Sequence, residues 1–258
     1  MKGFGPVTQN ALLDICGDID RLFGMGYSEL ISSNSGNLLG QKQIKSFVLQ
    51  REDDRLWNLV EGILQSLELS GMDAVTAEDP AYPKRFRNIK DMPILLYIKG
   101  ELLINEFKNS VGIVGARRCT REGKDEAIDI ASEAVNANAA VISGMAKGID
   151  AYAHTAALKS RGYTIAVLGN GADICYPKEH EKLYEKIAEH GCILSEYHPG
   201  TLPREYYFPK RNRLIAALSD KLYVIDAGRH SGTATTVENG RKYGRGVILC
   251  GKAEAGSG

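Results

Sequence analysis

Two short stretches of this chain carry residue types suited to holding a phosphate. The first, Ser143-Gly144-Met145-Ala146-Lys147-Gly148-Ile149-Asp150, lies where an apolar run, Ala139 to Ile142, gives way to a helix-like one, Ala151 to Leu158. Glycines let backbone N–H groups turn toward a ligand, the following helix presents unsatisfied donors and the positive end of its dipole, and Lys147 adds a full charge. The second, Phe208-Pro209-Lys210-Arg211-Asn212-Arg213, brings three cations and an aromatic ring and is preceded by Tyr206-Tyr207. Rings stack on unpaired bases at about 1–3 kcal/mol each, while cations reach phosphates. The pair favours a nucleic-acid ligand over a lone nucleotide, and an unpaired strand over a duplex, whose bases are already stacked.

Further residues join these stretches. Arg117 stands two residues past Gly115, where its guanidinium could fork onto a phosphate. Ser231-Gly232-Thr233 follows the apolar run Leu222 to Ile225 and offers another small nest of backbone donors. The candidate ligand contacts are therefore Arg117, Ser143, Gly144, Lys147, Gly148, Phe208, Lys210, Arg211, Ser231 and Gly232. Within the second stretch, Lys210 and Arg211 are expected to point outward, with Asn212 and Arg213 partly structural. Asp150 favours the helix start, and His154, one turn on, is placed to pair with it. No serine or cysteine stands convincingly beside His154 as a nucleophile, so its expected role is packing and no catalytic residue is assigned. Gly112 and Gly115 lack the third glycine of a dinucleotide fingerprint, which disfavours NAD.

These candidates need a frame to bring them together. After Asn109, strand-like runs at Val111 to Val114, Ala140 to Ile142, Thr164 to Leu168, Cys192 to Leu194, Leu222 to Ile225 and Val247 to Leu249 alternate with helix-like ones. The helix-like runs are Gly123 to Val135, Ile149 to Ser160, Lys178 to His190, Asn212 to Ser219 and Thr235 to Tyr243. That alternation predicts an α/β fold, a Rossmann-like, doubly wound, mainly parallel sheet. Every candidate stretch follows a strand and so falls at the sheet's carboxyl edge, where open α/β sheets bind ligands.

Ahead of this, apolar residues spaced by three and four from Gln9 to about Leu69 predict a small all-helical N-terminal domain. Its opening, Gly3-Phe4-Gly5-Pro6, is faintly like the glycine turn of a helix-hairpin-helix DNA-backbone binder. The expected division is residues 1–75 helical, 76–108 a linker with three prolines that leads to the strand-like Ile94 to Ile98 and is packed on the core, since it mixes aromatic and basic residues instead of Gly and Ser, and 109–258 the Rossmann-like, DNA-binding domain.

Bulk properties narrow the partners. With 32 Lys and Arg against 32 Asp and Glu in 258 residues, no basic tail or polyanion-coating surface exists, so a nucleic-acid site must be a local patch. The five cysteines, Cys16, Cys119, Cys175, Cys192 and Cys250, are scattered without metal-ligand spacing, which fits reduced thiols in a cytoplasmic protein and no bound metal or cofactor. No apolar run approaches membrane-spanning length.

The order of the motifs resembles one family. Arg117, then Ser143-Gly144-x-Ala146-x-Gly148-Ile149-Asp150 with Ala153-His154, Thr164 to Gly169 with Tyr176-Pro177, Ser195-Glu196, Phe208-Pro209-x-Arg211-Asn212-Arg213 with Ile215-Ala216, and Ser231-Gly232 are similar to the signature of the DprA (Smf) DNA-processing family. The similarity runs from about Tyr82 to Val247. It implies a non-enzymatic, cytoplasmic protein of natural transformation and recombination, a homodimer that binds single-stranded DNA, protects it from nucleases and helps load the RecA recombinase. Lys147 and Asp226 depart from the arginine and glutamate usual in the family. The competing reading is a nucleotide-processing enzyme resembling the lysine-decarboxylase-like phosphoribohydrolases, whose glycine-threonine-glutamate loop is partly matched by Ser231-Gly232-Thr233. That pattern places its glutamate three residues past the threonine, whereas Glu238 is five past Thr233.

Overall fold

The structure, a computed structural model, describes residues 3–87, 89–226 and 232–251. Two compact units emerge from the chain's own contacts: Met1–Leu69 with Asn88–Ile94, and Ser70–Arg87 with Leu95–Gly258. The first unit holds α1 (Pro6–Cys16), α2 (Ile19–Gly24), α3 (Tyr27–Ser33), α4 (Gln41–Arg51) and α5 (Asp54–Ser70). Phe4, Leu12, Cys16, Leu22, Met25, Leu30, Leu39, Ile44 and Phe47 form its core. In the opening stretch Phe4 is buried in that core, and Pro6 opens α1 where a missing N–H is no loss. Arg51 closes the end of α2, its Nη1 donating to the carbonyls of Leu22, Phe23 and Met25.

The second unit is built on β1 (Asp73–Thr76), β2 (Leu95–Gly100), β3 (Asn109–Gly115), α6 (Arg121–Asn136), β4 (Ala139–Ser143), α7 (Ile149–Lys159), β5 (Thr164–Leu168), α8 (Glu181–His190), β6 (Cys192–Ser195), α9 (Tyr207–Leu218), β7 (Lys221–Ile225), α10 (Ala234–Lys242) and β8 (Gly246–Cys250). Its strands form one eight-stranded sheet in the order β1-β2-β6-β5-β4-β3-β7-β8. From β6 to β8 all neighbours are parallel, as the alternation predicts; β2 joins β6 antiparallel and β1 joins β2 antiparallel. The hydrophobic pattern does not flag β1, because only Val75 of its four residues is buried.

The doubly wound character follows from strand order. The chain steps from β3 through β4 and β5 to β6, then returns across the sheet to lay β7 on the other side of β3. α6 packs on α7 and α7 on α8, while α9 and α10 pair with each other. Ala127, Ala131 and Ala134 of α6 meet Ala153, Ala156 and Ala157 of α7 over Ile113, Val141 and Ile225; such small side chains let two helices and the sheet close up without voids. The reversal of strand order beside β3 opens a crevice at the carboxyl ends of the strands, where ligands of such sheets bind.

One element differs usefully from its expected bounds. α9 begins at Tyr207 rather than at Asn212. Pro209 reads as a breaker in the sequence, yet it sits in the first helical turn, where its absent N–H and fixed φ are tolerated. The basic-aromatic stretch is therefore helical, and its side chains fan around an axis at about 100° per residue instead of sharing one surface.

Candidate functional site

A cavity of about 450 Å³ opens at the carboxyl ends of the central strands. Gly115, Ala116 and Arg117 after β3, Ala146 and Asp150 after β4, Tyr176 after β5, Phe208, Arg211 and Asn212 on α9, and Gly232 with Thr233 before α10 contribute to its wall. A smaller hollow of about 70 Å³ shares Arg117, Ala146, Tyr176, Phe208 and Arg211 with it and adds Gly144 and Lys147. Five separate strand-end segments thus meet at one place.

Two kinds of surface face this space. Tyr176 and Phe208 stack with ring centroids 5.5 Å apart and planes 27° from parallel. Gly169 makes room for that pair, since a Cβ there would lie 2.9 Å from the Phe208 ring. Opposite in character are the cations. Arg117 is exposed and, among the described residues, forms no ion pair; Lys147 reaches the Glu179 carboxylate, with both side chains 56% exposed. That pairing holds Glu179 below the usual carboxylate range. Such an exposed pair is screened by solvent and contributes little, so an arriving phosphate can take Lys147 over.

Part of the cavity wall is a buried electrostatic knot of Arg211 and Asp150. Arg211 is only 4% exposed, and its Nη1 donates to the carbonyl of Gly144 at 2.7 Å and to that of Val167, while Nε donates to Asn212 Oδ1 at 3.1 Å. Burial lowers its pKa to about 10, a shift opposed by the negative field of Asp150, so the guanidinium is charged at neutral pH. Asp150 Oδ2 in turn accepts from the amides of Gly144 at 3.1 Å and Ala146 at 3.3 Å. Burial pushes that carboxyl up, against the pull of Arg211 and the two amides. The expected anion cradle is thus partly filled from within: a carboxylate of the chain itself occupies two of the loop's donors.

Several candidates take a different place from the one the spacing predicts. Arg211 points inward rather than outward, because on a helix it shares the sheet-facing side with Leu214, Ile215 and Leu218, all fully buried. Lys210 does not line the cavity; its ammonium lies 5.4 Å from the centroid of the Tyr206 ring. Ser143 is wholly buried and donates from Oγ to the Ile113 carbonyl at 2.6 Å, tying β4 to β3. Gly148, at φ +79°, is also absent from the wall; a Cβ there would collide with the Ala116 carbonyl, so glycine lets the turns after β3 and β4 touch. Gly144 is held to glycine by Arg211, whose Nη1 would stand 2.5 Å from a Cβ. Gly232 lines the cavity, and Ser231 lies outside the described residues. Arg213 is structural as expected, paired with Glu196 at 2.6 Å.

His154 does not pair with Asp150. It is wholly buried, its Nδ1 lying 2.7 Å from Thr164 Oγ1. That hydroxyl already donates to the Val141 carbonyl at 2.9 Å, so the ring donates from Nδ1 and leaves Nε2 as an acceptor with no partner among the described residues. Tyr176 is a cavity residue that no phosphate pattern marks, and Asn212 and Thr233, which fall inside two of the marked stretches without being contact candidates, also line the cavity.

A family model described as DNA recombination-mediator protein A matches residues 73–255. The chain belongs to that family. The resemblance drawn from the motifs to DprA (Smf) DNA-processing proteins therefore holds over all the elements that build the cavity. DNA processing protein DprA of Streptococcus pneumoniae is 38% identical over 183 residues, 71% of this chain and 64% of that protein. DprA of Bacillus subtilis is 32% identical over 206 residues, covering 80% and 69%, and protein Smf of Synechocystis 34% over 251, covering 96% and 61%. The chain thus spans about two thirds of the length of these curated relatives. The X-ray structure of the Streptococcus pneumoniae DprA superposes with TM-score 0.78 at 30% identity, over 97% of this chain and 83% of that one. The Helicobacter pylori DprA, whose structure concerns its single-stranded DNA binding mode, gives TM-score 0.64 at 32% identity, over 71% and 83%. Among the described residues of this DprA family member, no helix is long and apolar enough to cross a membrane, no group of three or more His, Cys, Asp or Glu is placed to hold a metal ion, and the five cysteines are free.

Proposed function

We propose that this chain binds single-stranded DNA in the cavity at the sheet's carboxyl edge, with Arg117 and Lys147 on phosphates and the Tyr176–Phe208 pair against bases. The observation that carries this reading is the meeting of two exposed cations and a stacked aromatic pair around two adjoining hollows of about 450 and 70 Å³, with Arg117, Tyr176 and Phe208 lining both and Lys147 the smaller. Every base has a face that stacks on an aromatic ring, so the contact tolerates any sequence, and phosphate contacts position a strand without reading it. The single-stranded DNA binding of the Helicobacter pylori relative supports the same reading. Protection of the strand, loading of the RecA recombinase, a homodimeric state and a cytoplasmic setting complete the proposal on family grounds.

The role is one of binding rather than catalysis. Ser143 Oγ is tied to a backbone carbonyl, His154 is sealed in the core, and Asp150 is occupied by two amides and the field of Arg211, so the groups nearest the cavity are engaged in holding it together. Glu238, the carboxylate a phosphoribohydrolase would need beside Thr233, is exposed on α10 and does not line the cavity.

A gel-shift comparison of single- and double-stranded oligonucleotides tests this. The double variant Arg117→Ala/Lys147→Ala is expected to lose most single-strand affinity, and duplex is expected to bind more weakly than single strand. Equal binding of duplex, or an unaffected double variant, would overturn the proposal. For a strand short enough to fill only the cavity, two neutralised phosphates give a salt slope near −1.4, so a fourfold rise in salt should weaken binding about sevenfold. Glu179→Gln is expected to strengthen binding about two- to fivefold by releasing Lys147 from its exposed pair, measured by fluorescence anisotropy; weaker binding would show that Glu179 orients Lys147 rather than competing for it.

A further inference from the structure

The helical fan of α9 leaves Lys210 without a place in the cavity, and its surroundings form a second aromatic-cationic site. Tyr206 is 50% exposed at the N-terminal end of the helix. Lys210, one turn on, holds its ammonium 5.4 Å from the Tyr206 ring centroid, and Arg204 Nη1 lies 3.5 Å from the Tyr206 hydroxyl. The ring is braced from behind: Tyr207 approaches it at 4.4 Å between centroids, and Tyr197, just past β6, backs Tyr207 at 4.2 Å. A half-exposed ring held by a neighbour that is itself packed on another ring loses little rotational freedom when something stacks on it.

Position separates this site from the cavity. Glu205, Phe208, Pro209, Arg211 and Asn212 line the cavity, whereas Tyr206 and Lys210 do not. On a helical wheel, Tyr206 and Lys210 stand at about 160° and 200° from Phe208, the far side of a cylinder about 10 Å across. Pro209, which lines the cavity, lies between the two sides.

We infer that Tyr206, with Lys210 and Arg204, is a second subsite for unpaired nucleic acid, which takes nucleotides of a strand after it leaves the cavity and rounds the N-terminal end of α9. The base stacks on the Tyr206 ring, and the flanking phosphates meet Lys210 and Arg204. This rests on the proposed single-strand binding by the cavity and adds to it a path and a direction along the surface. A pair that only stabilised the helix start would need neither the exposed ring nor the second cation.

The test compares oligothymidylates of about six and about twenty nucleotides, the shorter within the range that one binding module covers, using the full chain, Tyr206→Ala, Tyr206→Phe and Lys210→Ala. Tyr206→Ala is expected to weaken binding of the long strand about tenfold or more, the value of one base stack, and to leave the short strand unchanged. Tyr206→Phe should retain long-strand binding, which shows that the ring is what matters. Lys210→Ala should lower the salt slope for the long strand by about 0.7 and leave the short-strand slope as it is. Equal losses on both lengths would make Tyr206 part of the cavity and overturn the separate subsite. Wild-type affinity of Tyr206→Ala for the long strand would overturn it too, while the cavity reading stands. Failure of the unmodified chain to bind either length would remove the cavity reading and this inference together.

Discussion

Replacing Arg211 by methionine is expected to destabilise the chain by about 3–5 kcal/mol, the range for removing one partner from a buried charged cluster. Methionine keeps much of the volume, so the loss reports electrostatics and hydrogen bonding rather than a void. The carbonyls of Gly144 and Val167 lose their guanidinium donor, each buried acceptor left bare at a cost of about 1–3 kcal/mol, and Asp150 loses the positive field that opposes its desolvation. The double variant Arg211→Met/Asp150→Asn should recover part of this, because the amide removes the uncompensated charge. Urea denaturation of the four chains of this cycle measures the coupling; a loss below about 1 kcal/mol for Arg211→Met would show that the knot is not structural. Since the same guanidinium borders both hollows, DNA affinity should fall with stability, and binding loss by this variant does not by itself show a phosphate contact.

Acid should unfold the protein partly through His154. Burial, with the positive fields of Arg211 and His180 behind it, lowers the imidazole pKa from 6.5 to about 3. Between those values the unfolded chain binds the proton and the folded chain does not, so this group's contribution is complete above about pH 6.5 and is lost as pH falls toward 3. From pH 7 to pH 5 the loss is about 2 kcal/mol. His154→Leu should therefore show a fall in urea midpoint over that interval smaller by the equivalent amount, even if its stability at pH 7 is reduced by loss of the hydrogen bond that Thr164 Oγ1 accepts from the ring. Parallel pH profiles for the two proteins would show that the ring protonates without unfolding the chain.

The strand and helix alternation was readable because it depends on local chemistry. Thr164 to Leu168 and Ile149 onward fall where the apolar runs predict them, and connections that return over a twisted sheet have one favoured hand. The position of the candidate residues at strand ends followed from the same pattern. β1 was not readable, since its four residues bury one side chain and owe their conformation to pairing with β2.

Side-chain direction divides what the chain's letters settle from what folding adds. Composition, glycine placement and the run of cations around Phe208 determined that a phosphate-seeking surface sits at the carboxyl edge of a parallel sheet, because residue type and strand order are properties of the one-dimensional pattern. Which cation reaches that surface was decided only in three dimensions. Lys210 and Arg211 are neighbours of like charge, but Pro209 falls in a first helical turn instead of ending a loop, and the resulting rotation of about 100° per residue turns one outward to Tyr206 and the other inward to the carbonyls of Gly144 and Val167. Asp150 and His154 likewise look like partners one turn apart on α7, yet the carboxylate finds the loop amides and the imidazole finds Thr164 on β5. A buried polar group takes the partner the packing brings, and that partner comes from another element of the fold.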